Sequence, residues 1–402
     1  MVALPSHGRG HRFKSCSAHH FYALSKIISV KKIGIIGAGP AGSFCAYKLA
    51  KAGFEVLLFD HKAVWDKPCG GGLTAPVWEQ FPELMPLQEF CYPNENARLI
   101  TSTGHKVEIK LANPLYVISR KQMAQSLLDT AVSAGAKFIP KKILKLARKN
   151  SGFELEDTDS VKIQVDFLIA ADGVNSLVRK TFCPRWRTDD YYFTLSLLAP
   201  RTMNPVLTVQ FFHGLYGYAW IFPGKETLSI GIGVRMRTHK LDKIYSFLEQ
   251  TLDQTPDTGI SKEKLRSDAR GFLIPALGFS SLRAQKVIGD NWALIGDASG
   301  SANSVTGEGL YYAFKTAHLL AQALISGKPE GYQHEWWGVC KKELAGPSLW
   351  GSVFFHKWSQ KIFSNYVSKS ASAQKLASQL MVGMRLKRTE IMAGILKAFF
   401  GG

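Results

Sequence analysis

The chain has 402 residues, 46% of them hydrophobic, with 50 Lys and Arg against 31 Asp and Glu and a formal net charge of +19. It is long enough to bury a substantial core in more than one lobe, and its apolar content excludes a disordered polyelectrolyte. Six cysteines, at 16, 45, 69, 91, 183 and 340, make no Cys-x-x-Cys pair and no metal-ligand spacing, so neither a disulfide framework nor a metal site is expected, and a reducing, cytoplasmic compartment is. No 18 apolar residues run together, so membrane contact, if any, is expected to be peripheral.

Residues 1–30 contain Arg9, Arg12 and Lys14, several Ser and His, and no acid. They suit a basic unstructured extension, an organelle transit peptide or translation from an upstream start codon, and they lack the apolar stretch of a secretory signal. Lys31 to Ile36 then reads as a short buried strand, followed at once by Gly37, Gly39 and Gly42 and a small-residue helix from Pro40 to Ala52. Gly37 permits a tight turn, Gly39 lets a pyrophosphate approach the backbone, and Gly42 lets helix and strand pack closely, with the helix N-terminus facing the phosphates. The next strand, Glu55 to Phe59, ends at Asp60, about 20 residues beyond the glycines, where a carboxylate can accept from ribose hydroxyls. Glycines alone make ordinary turns; strand, glycines, helix, strand and acid in this order specify a dinucleotide.

Lys67-Pro68-Cys69-Gly70-Gly71-Gly72-Leu73 follows, a loop with free backbone N–H groups and little bulk, suited to pressing on a flat ring system or to a flexible surface turn. After Ser119, Arg120 opens the amphipathic run Lys121 to Ser133. Leu168 to Ala171 reads as a buried strand ending in the turn Asp172-Gly173, with Arg179 beyond. From Tyr191 to Val234, four β-branched and aromatic runs separated by Pro and Gly suggest an antiparallel sheet, with Pro223-Gly224-Lys225 as a hairpin turn. One of these runs, Tyr218-Ala219-Trp220-Ile221-Phe222-Pro223, puts Tyr218, Trp220 and Phe222 on one face, as core or as the wall of a ligand pocket. Ala293-Leu294-Ile295-Gly296-Asp297 is a further strand with an acid at its carboxyl end, followed by Thr306-Gly307-Glu308-Gly309 and a helix from Leu310 to Ile325. In a doubly wound sheet such an end lies beside the first glycine turn, so Asp297 can reach the polyol chain that joins pyrophosphate to isoalloxazine; nicotinamide dinucleotides have no such chain. The dinucleotide is therefore expected to be FAD. From Gly331 onward the chain reads helical and aromatic-rich.

Taken together, the stretches at 37–60, 172–176 and 296–309 resemble the para-hydroxybenzoate hydroxylase-like flavoproteins. The Cys69 loop and the Tyr-x-Trp-x-Phe-Pro strand resemble, more narrowly, the geranylgeranyl reductases; the likeness spans about residues 31 to 330. The resemblance implies an α/β fold: a doubly wound Rossmann-type FAD domain (31–75, 115–188 and 280–330), an inserted antiparallel-sheet substrate domain (76–114 and 189–279) and a helical C-terminal region (331–402). It further implies FAD contacts from Gly37, Gly39, Gly42, Asp60, Cys69, Gly70, Gly72, Arg120, Asp172, Asp297, Gly309 and Leu310 and from the backbone at Leu144, and a substrate cavity along Tyr218, Trp220 and Phe222. One stretch departs from the family pattern: Ala298 to Val305 is more polar than the small, apolar run usual there.

The implied activity is reduction of C=C bonds in an isoprenoid lipid or prenyl diphosphate, with NADPH or reduced ferredoxin as electron donor and Tyr218 or Cys69 as candidate proton donor. An oxygen-using hydroxylase of the same group is the runner-up, and a flavin-bearing membrane-surface protein without turnover is a third reading. Basic residues gather at the ends, eight Lys and Arg without an acid in 1–54 and eight against one acid in 356–402. These ends suit anionic lipid or diphosphate. Leu380, Met384, Ile391, Ile395 and Phe399, with Arg385, Lys387 and Arg388 between, are compatible with an amphipathic basic helix on a membrane or with one docked on the protein. No nucleic-acid-binding pattern accompanies the charge, and oligomeric state is not legible.

Overall fold

The computed structural model describes residues 30–236 and 238–384; the basic extension expected over 1–30, up to residue 29, and the basic stretch from Arg385 onward lie outside the described residues. Lys32–Ile36 (β1) is a buried strand that feeds Pro40–Lys51 (α1), whose fixed-φ proline stands in the first turn where no backbone donor is needed. Glu55–Phe59 (β2) returns parallel to β1. The chain then runs through Gly72–Leu73 (β3), Tyr92–Ile100 (β4) and Lys106–Val117 (β5) into Arg120–Ser133 (α2), capped by the Ser119 side chain. Lys137–Ile139 (β6) precedes three antiparallel strands, Ile143–Lys149 (β7), Gly152–Asp157 (β8) and Lys162–Val165 (β9), and then Phe167–Ala170 (β10).

Next come Tyr191–Pro200 (β11), Leu207–Gln210 (β12), Gly217–Pro223 (β13), Thr227–Arg235 (β14), Leu241–Gln254 (α3) and Arg270–Pro275 (β15). Ile288–Gly289 (β16), Trp292–Leu294 (β17) and Leu310–Ile325 (α4) follow. The helices Tyr332–Val339 (α5), Ala345–Phe354 (α6), Lys357–Lys369 (α7) and Ala371–Met381 (α8) complete the described chain.

The Rossmann-type α/β core is a six-stranded sheet in the order β16-β17-β10-β1-β2-β6, parallel except for β16. Strands far apart in sequence thus become neighbours. On one face, a Cβ on Gly34 would stand 3.0 Å from Val165 and 3.2 Å from Leu155, so the β7–β9 sheet lies directly on β1. Ile33 and Ile35 alternate to the other side and join Phe44, Leu127 and Phe314, from α1, α2 and α4, in one core.

The second sheet has eight strands, β15-β11-β14-β13-β12-β4-β5-β3. The expectation of an antiparallel sheet needs one correction: β12 runs parallel to β4. A parallel neighbour has to come from a distant part of the chain, and local alternation carries no record of it. The β13–β14 hairpin turns at Gly224, whose N–H donates to Thr227 at 2.7 Å. Leu248 of α3 is fully buried against this sheet together with Ile221 and Ile230, and Val367 of α7 and Ala377 of α8 cover Leu99 and Val209. Full burial of a leucine contributes roughly 2 kcal/mol.

Of the amphipathic helix expected from Leu380 to Phe399, the part within the described residues, Leu380 to Met384, is not continuous helix. α8 ends at Met381, and Gly383 takes φ +73, a left-handed conformation that stops the helix. A Cβ at 383 would also lie 2.8 Å from Thr74 Cβ, so close packing as well as backbone conformation fixes glycine there.

Candidate functional site

At the end of β1, Gly37 has φ +101 and a Cβ there would sit 2.4 Å from the Ala171 carbonyl oxygen. On Gly42 a Cβ would overlap the Gly37 oxygen at 1.8 Å. These two glycines are therefore dictated by the protein's own packing. Gly39 differs. Its backbone is ordinary, with φ −72 and ψ −175, and a Cβ would meet nothing within 4 Å. The open space lies at the N-terminus of α1, where unpaired amides and the helix dipole favour an anion. Asp60 braces the same turn, its two carboxylate oxygens accepting from the amides of Ala38 and Lys62, each at 2.8 Å.

Asp172 and Asp297 both converge on this turn. Asp172 follows Ala171, the residue Gly37 touches; one of its oxygens accepts from Leu177 N–H at 2.8 Å, and the other is buried with no partner. Burial pushes this carboxyl up from its ordinary range, against hydrogen bonds from Ser176 and Leu177 that pull it down. Arg179 does not join them: it is buried, stacks 3.8 Å over the Trp186 ring and donates to Val174. Gly296, at φ +58, lies so close to α1 that a Cβ would come within 2.9 Å of Ala41 Cβ. The turn holding Asp297 therefore abuts the start of the glycine helix, and a Cβ on Gly309, the N-cap of α4, would be 3.5 Å from Asp297 Oδ1.

The Cys69 loop ties the two sheets together. Lys67 Nζ reaches Asp297 at 3.2 Å, a partly buried ion pair. Ser229 Oγ donates to the Cys69 carbonyl at 2.8 Å and accepts from Trp220 Nε1 at 3.0 Å. A Cβ on Gly70 would stand 2.7 Å from the Phe222 ring, and one on Gly71, at φ +70, 2.4 Å from the Ile118 oxygen. These glycines are needed by the protein's own close approach, a requirement the sequence alone does not disclose. Trp220 in turn lies on Gly231, where a Cβ would come within 2.3 Å of the indole. Tyr218 is half-buried and its hydroxyl donates to the Thr306 carbonyl, so its proton is engaged, and burial with the nearby Cys69 and Glu308 pushes the phenol above its ordinary range.

Arg120 is the first residue of α2, and its Nε is buried without a partner. It lines a small enclosed pocket with Lys67, Cys69, Ser196 and Ser229, in which Ser196 Oγ is likewise buried and unpartnered. Leu144 is 47% exposed beside a register shift on β7, on a different sheet from these groups. The polar run after Asp297 is largely satisfied from within: Ser299 donates to Gly296, Ser301 accepts from Trp336 Nε1 at 2.8 Å, and the Ser304 carbonyl accepts from Tyr192 at 2.6 Å. It anchors α5 instead of lining a cavity with apolar atoms. Sequence reasoning gave no role to Lys67, Ser196 or Ser229; their adjacency arises only when the sheets pack, although Lys67 stands inside the recognised motif.

The residues fit an FAD. Gly39 leaves room at a helix N-terminus for pyrophosphate. Asp297 stands beside Gly309 at the N-terminus of α4, where the helix dipole is positive, and the orphaned Arg120 Nε and Asp172 Oδ1 are polar groups without a protein partner. A much larger open groove, lined by Tyr47, Phe90, Gln125 and Asp129 among others, lies between α1 and α2 and holds none of this chemistry.

Residues 35–71 match the model of an NAD(P)-binding Rossmann-like domain. An uncharacterized protein of Methanosarcina barkeri is 33% identical over 322 residues, covering 76% of this chain and 78% of that one. The geranylgeranyl diphosphate reductase of Rhodobacter capsulatus is 28% identical over 312 residues, 73% of this chain and 76% of its own. The chain belongs to the geranylgeranyl reductase family of flavoproteins. It is accordingly an oxidoreductase. Family relatives named menaquinone reductase, from Mycolicibacterium smegmatis, and digeranylgeranylglycerophospholipid reductase, from Methanocaldococcus jannaschii, are 28% and 29% identical over 75% and 72% of this chain and 78% and 75% of their own. The fold matches a geranylgeranyl bacteriochlorophyll reductase-like structure from Thermoplasma acidophilum with a TM-score of 0.70 at 18% identity, covering 92% of this chain and 96% of that one.

Proposed function

We propose that this protein reduces carbon-carbon double bonds of an isoprenoid chain, carried by a lipid or a prenyl diphosphate, with FAD as its resident cofactor. The observation that carries the reading is the Cys69 loop, fastened to Asp297 through Lys67 and seated on Phe222 through Gly70, which joins the glycine-turn side of the site to the aromatic strand. The names of relatives that act on geranylgeranyl chains support the same class of substrate.

In this reading the α1 amides and Gly39 face the pyrophosphate, with Gly37 and Gly42 shaping the turn. Asp60 lies toward the adenosine ribose, Asp172 and Asp297 toward the polar linker, and Gly309 and Leu310 at the pyrimidine edge. Arg120, Cys69, Gly70 and Gly72 complete the enclosure, with the backbone near Leu144 at the adenine. Bound and reduced, FAD supplies a hydride for each double bond, and NADPH or reduced ferredoxin returns the electrons. Tyr218, Trp220 and Phe222 hold the chain and exclude water. Each reduction also takes up one proton. Tyr218 is a poor source, since its hydroxyl is committed to Thr306 and its acidity is lowered by burial; Cys69, half-buried, remains a candidate beside water.

The test is to reduce the purified protein chemically, incubate it with a lipid extract, first without oxygen and then in air, and follow the lipids by mass spectrometry. Stepwise gain of hydrogen pairs is the expected result. Gain of oxygen only in air would overturn it in favour of a hydroxylase.

A further inference from the structure

The aromatic face continues outward from the site. Phe211 lies 6.0 Å from Tyr218, 5.7 Å from Phe354 and 5.8 Å from Phe363 between ring centroids, so α6 and α7 extend the face toward the surface. Gly351 is the inner contact of α6, where a Cβ would be 3.1 Å from Tyr216 Oη and 3.3 Å from Val305. Away from that contact α6 exposes Leu349, Trp350 and Val353, one patch at helical spacing, with Trp350 67% exposed; Trp358, just past the corner, is 48% exposed. Large apolar side chains gathered this openly mark an interaction surface.

Charge decides the partner. Between Leu344 and Met384 there is no Asp or Glu, whereas Lys357, Lys361, Lys369 and Lys375 are all present and exposed. A second copy of the chain would bring the same lysines and repel. Two exposed indoles beside lysines, on a stretch of chain without an acid, suit the headgroup region of an anionic bilayer, where Trp sits at the apolar boundary and Lys meets phosphate.

We propose that the α6–α7 corner docks on anionic lipid membranes through Trp350, Trp358, Lys357 and Lys361. The proposal goes beyond the reductase reading and does not depend on it, because partitioning is measured without turnover.

The experiment is flotation of the full-length protein with vesicles of phosphatidylcholine alone or mixed with phosphatidylglycerol. The mixed vesicles should capture it in a salt-sensitive way. The Trp350→Ser/Trp358→Ser variant should lose at least tenfold in partitioning. Lys357→Gln with Lys361→Gln should lose roughly tenfold or more, at about fivefold per lysine near the surface. Brominated lipids should quench the wild type more than Trp350→Phe, a change mild enough to leave the fold intact. Three results would each overturn the proposal: no partitioning, partitioning abolished by removing residues 385–402 but untouched by the tryptophan and lysine variants, or self-association or capture of an acidic protein that requires Trp350 while vesicles do not bind.

Discussion

Gly39 and Gly42 stand three residues apart in the same turn, yet substitution to alanine should produce opposite results. On Gly42 the new methyl would lie 1.8 Å from the Gly37 oxygen, so α1 must retreat by more than an ångström against a backbone atom that cannot rotate away. Overpacking of this kind costs about 1–3 kcal/mol, and a rigid obstacle puts it at the upper end. Gly39 has ordinary backbone angles and empty space around its missing Cβ, so alanine there should change the stability of the FAD-free protein only by the loss of a glycine N-cap, ~0.5–1 kcal/mol. The same methyl would stand where the pyrophosphate approaches. Gly39→Ala should therefore weaken FAD binding at least tenfold, or about 1.4 kcal/mol. Denaturant unfolding of FAD-free protein gives the first quantity, and quenching of flavin fluorescence on titration gives the second. If Gly39→Ala binds FAD like the wild type, or is destabilised as much as Gly42→Ala, the turn does not hold the phosphates as argued.

Replacing Lys67 by Met should cost ~1–2 kcal/mol, more than an exposed pair, because Asp297 and the Lys67 ammonium are both largely enclosed. It should also speed proteolysis within residues 65–72, and unchanged stability and protection would remove the pair from the account. Tyr218→Phe should lose roughly 1 kcal/mol with its hydrogen bond to Thr306 while keeping the pH profile of turnover; loss of turnover with normal flavin reduction would instead make Tyr218 the proton donor. His318 is held below its ordinary pKa, first by burial and then by the Lys48 ammonium. Its folded pKa lies under the unfolded value, so its neutral form stabilises the fold above about pH 6.5, and that contribution is lost as pH falls through the lowered pKa. Thermal melts across this range should show the loss, and His318→Gln should flatten it; identical profiles would show that His318 does not titrate between the two states.

Local patterns were legible where neighbours in sequence determine them. The strand Glu55–Phe59 and the helix Leu310–Ile325 fall at the residues their periodicity marks, and Gly224 turns the hairpin expected of it. The lobe expected over 189–279 as antiparallel sheet also holds α3 between β14 and β15, a helix that covers the sheet's apolar face and that the four sheet-like runs did not announce. Gly70 and Gly71 show the limit on a finer scale. A glycine run reads equally as a mobile turn or a ring-facing loop, and only the Phe222 ring and the Ile118 carbonyl at their backs reveal that close packing requires them.

By itself the sequence determined the strand–glycine–helix unit, the order of the two aspartate turns and the alternation that puts Tyr218, Trp220 and Phe222 on one face, since each rests on backbone geometry and spacing within a few residues. Only the tertiary structure decided the parallel pairing of β12 with β4, the Lys67–Asp297 ion pair across 230 residues and the exposed indoles beside an acid-free run of lysines. Those depend on which distant surfaces meet and which remain uncovered, and burial acts on area without regard to sequence order.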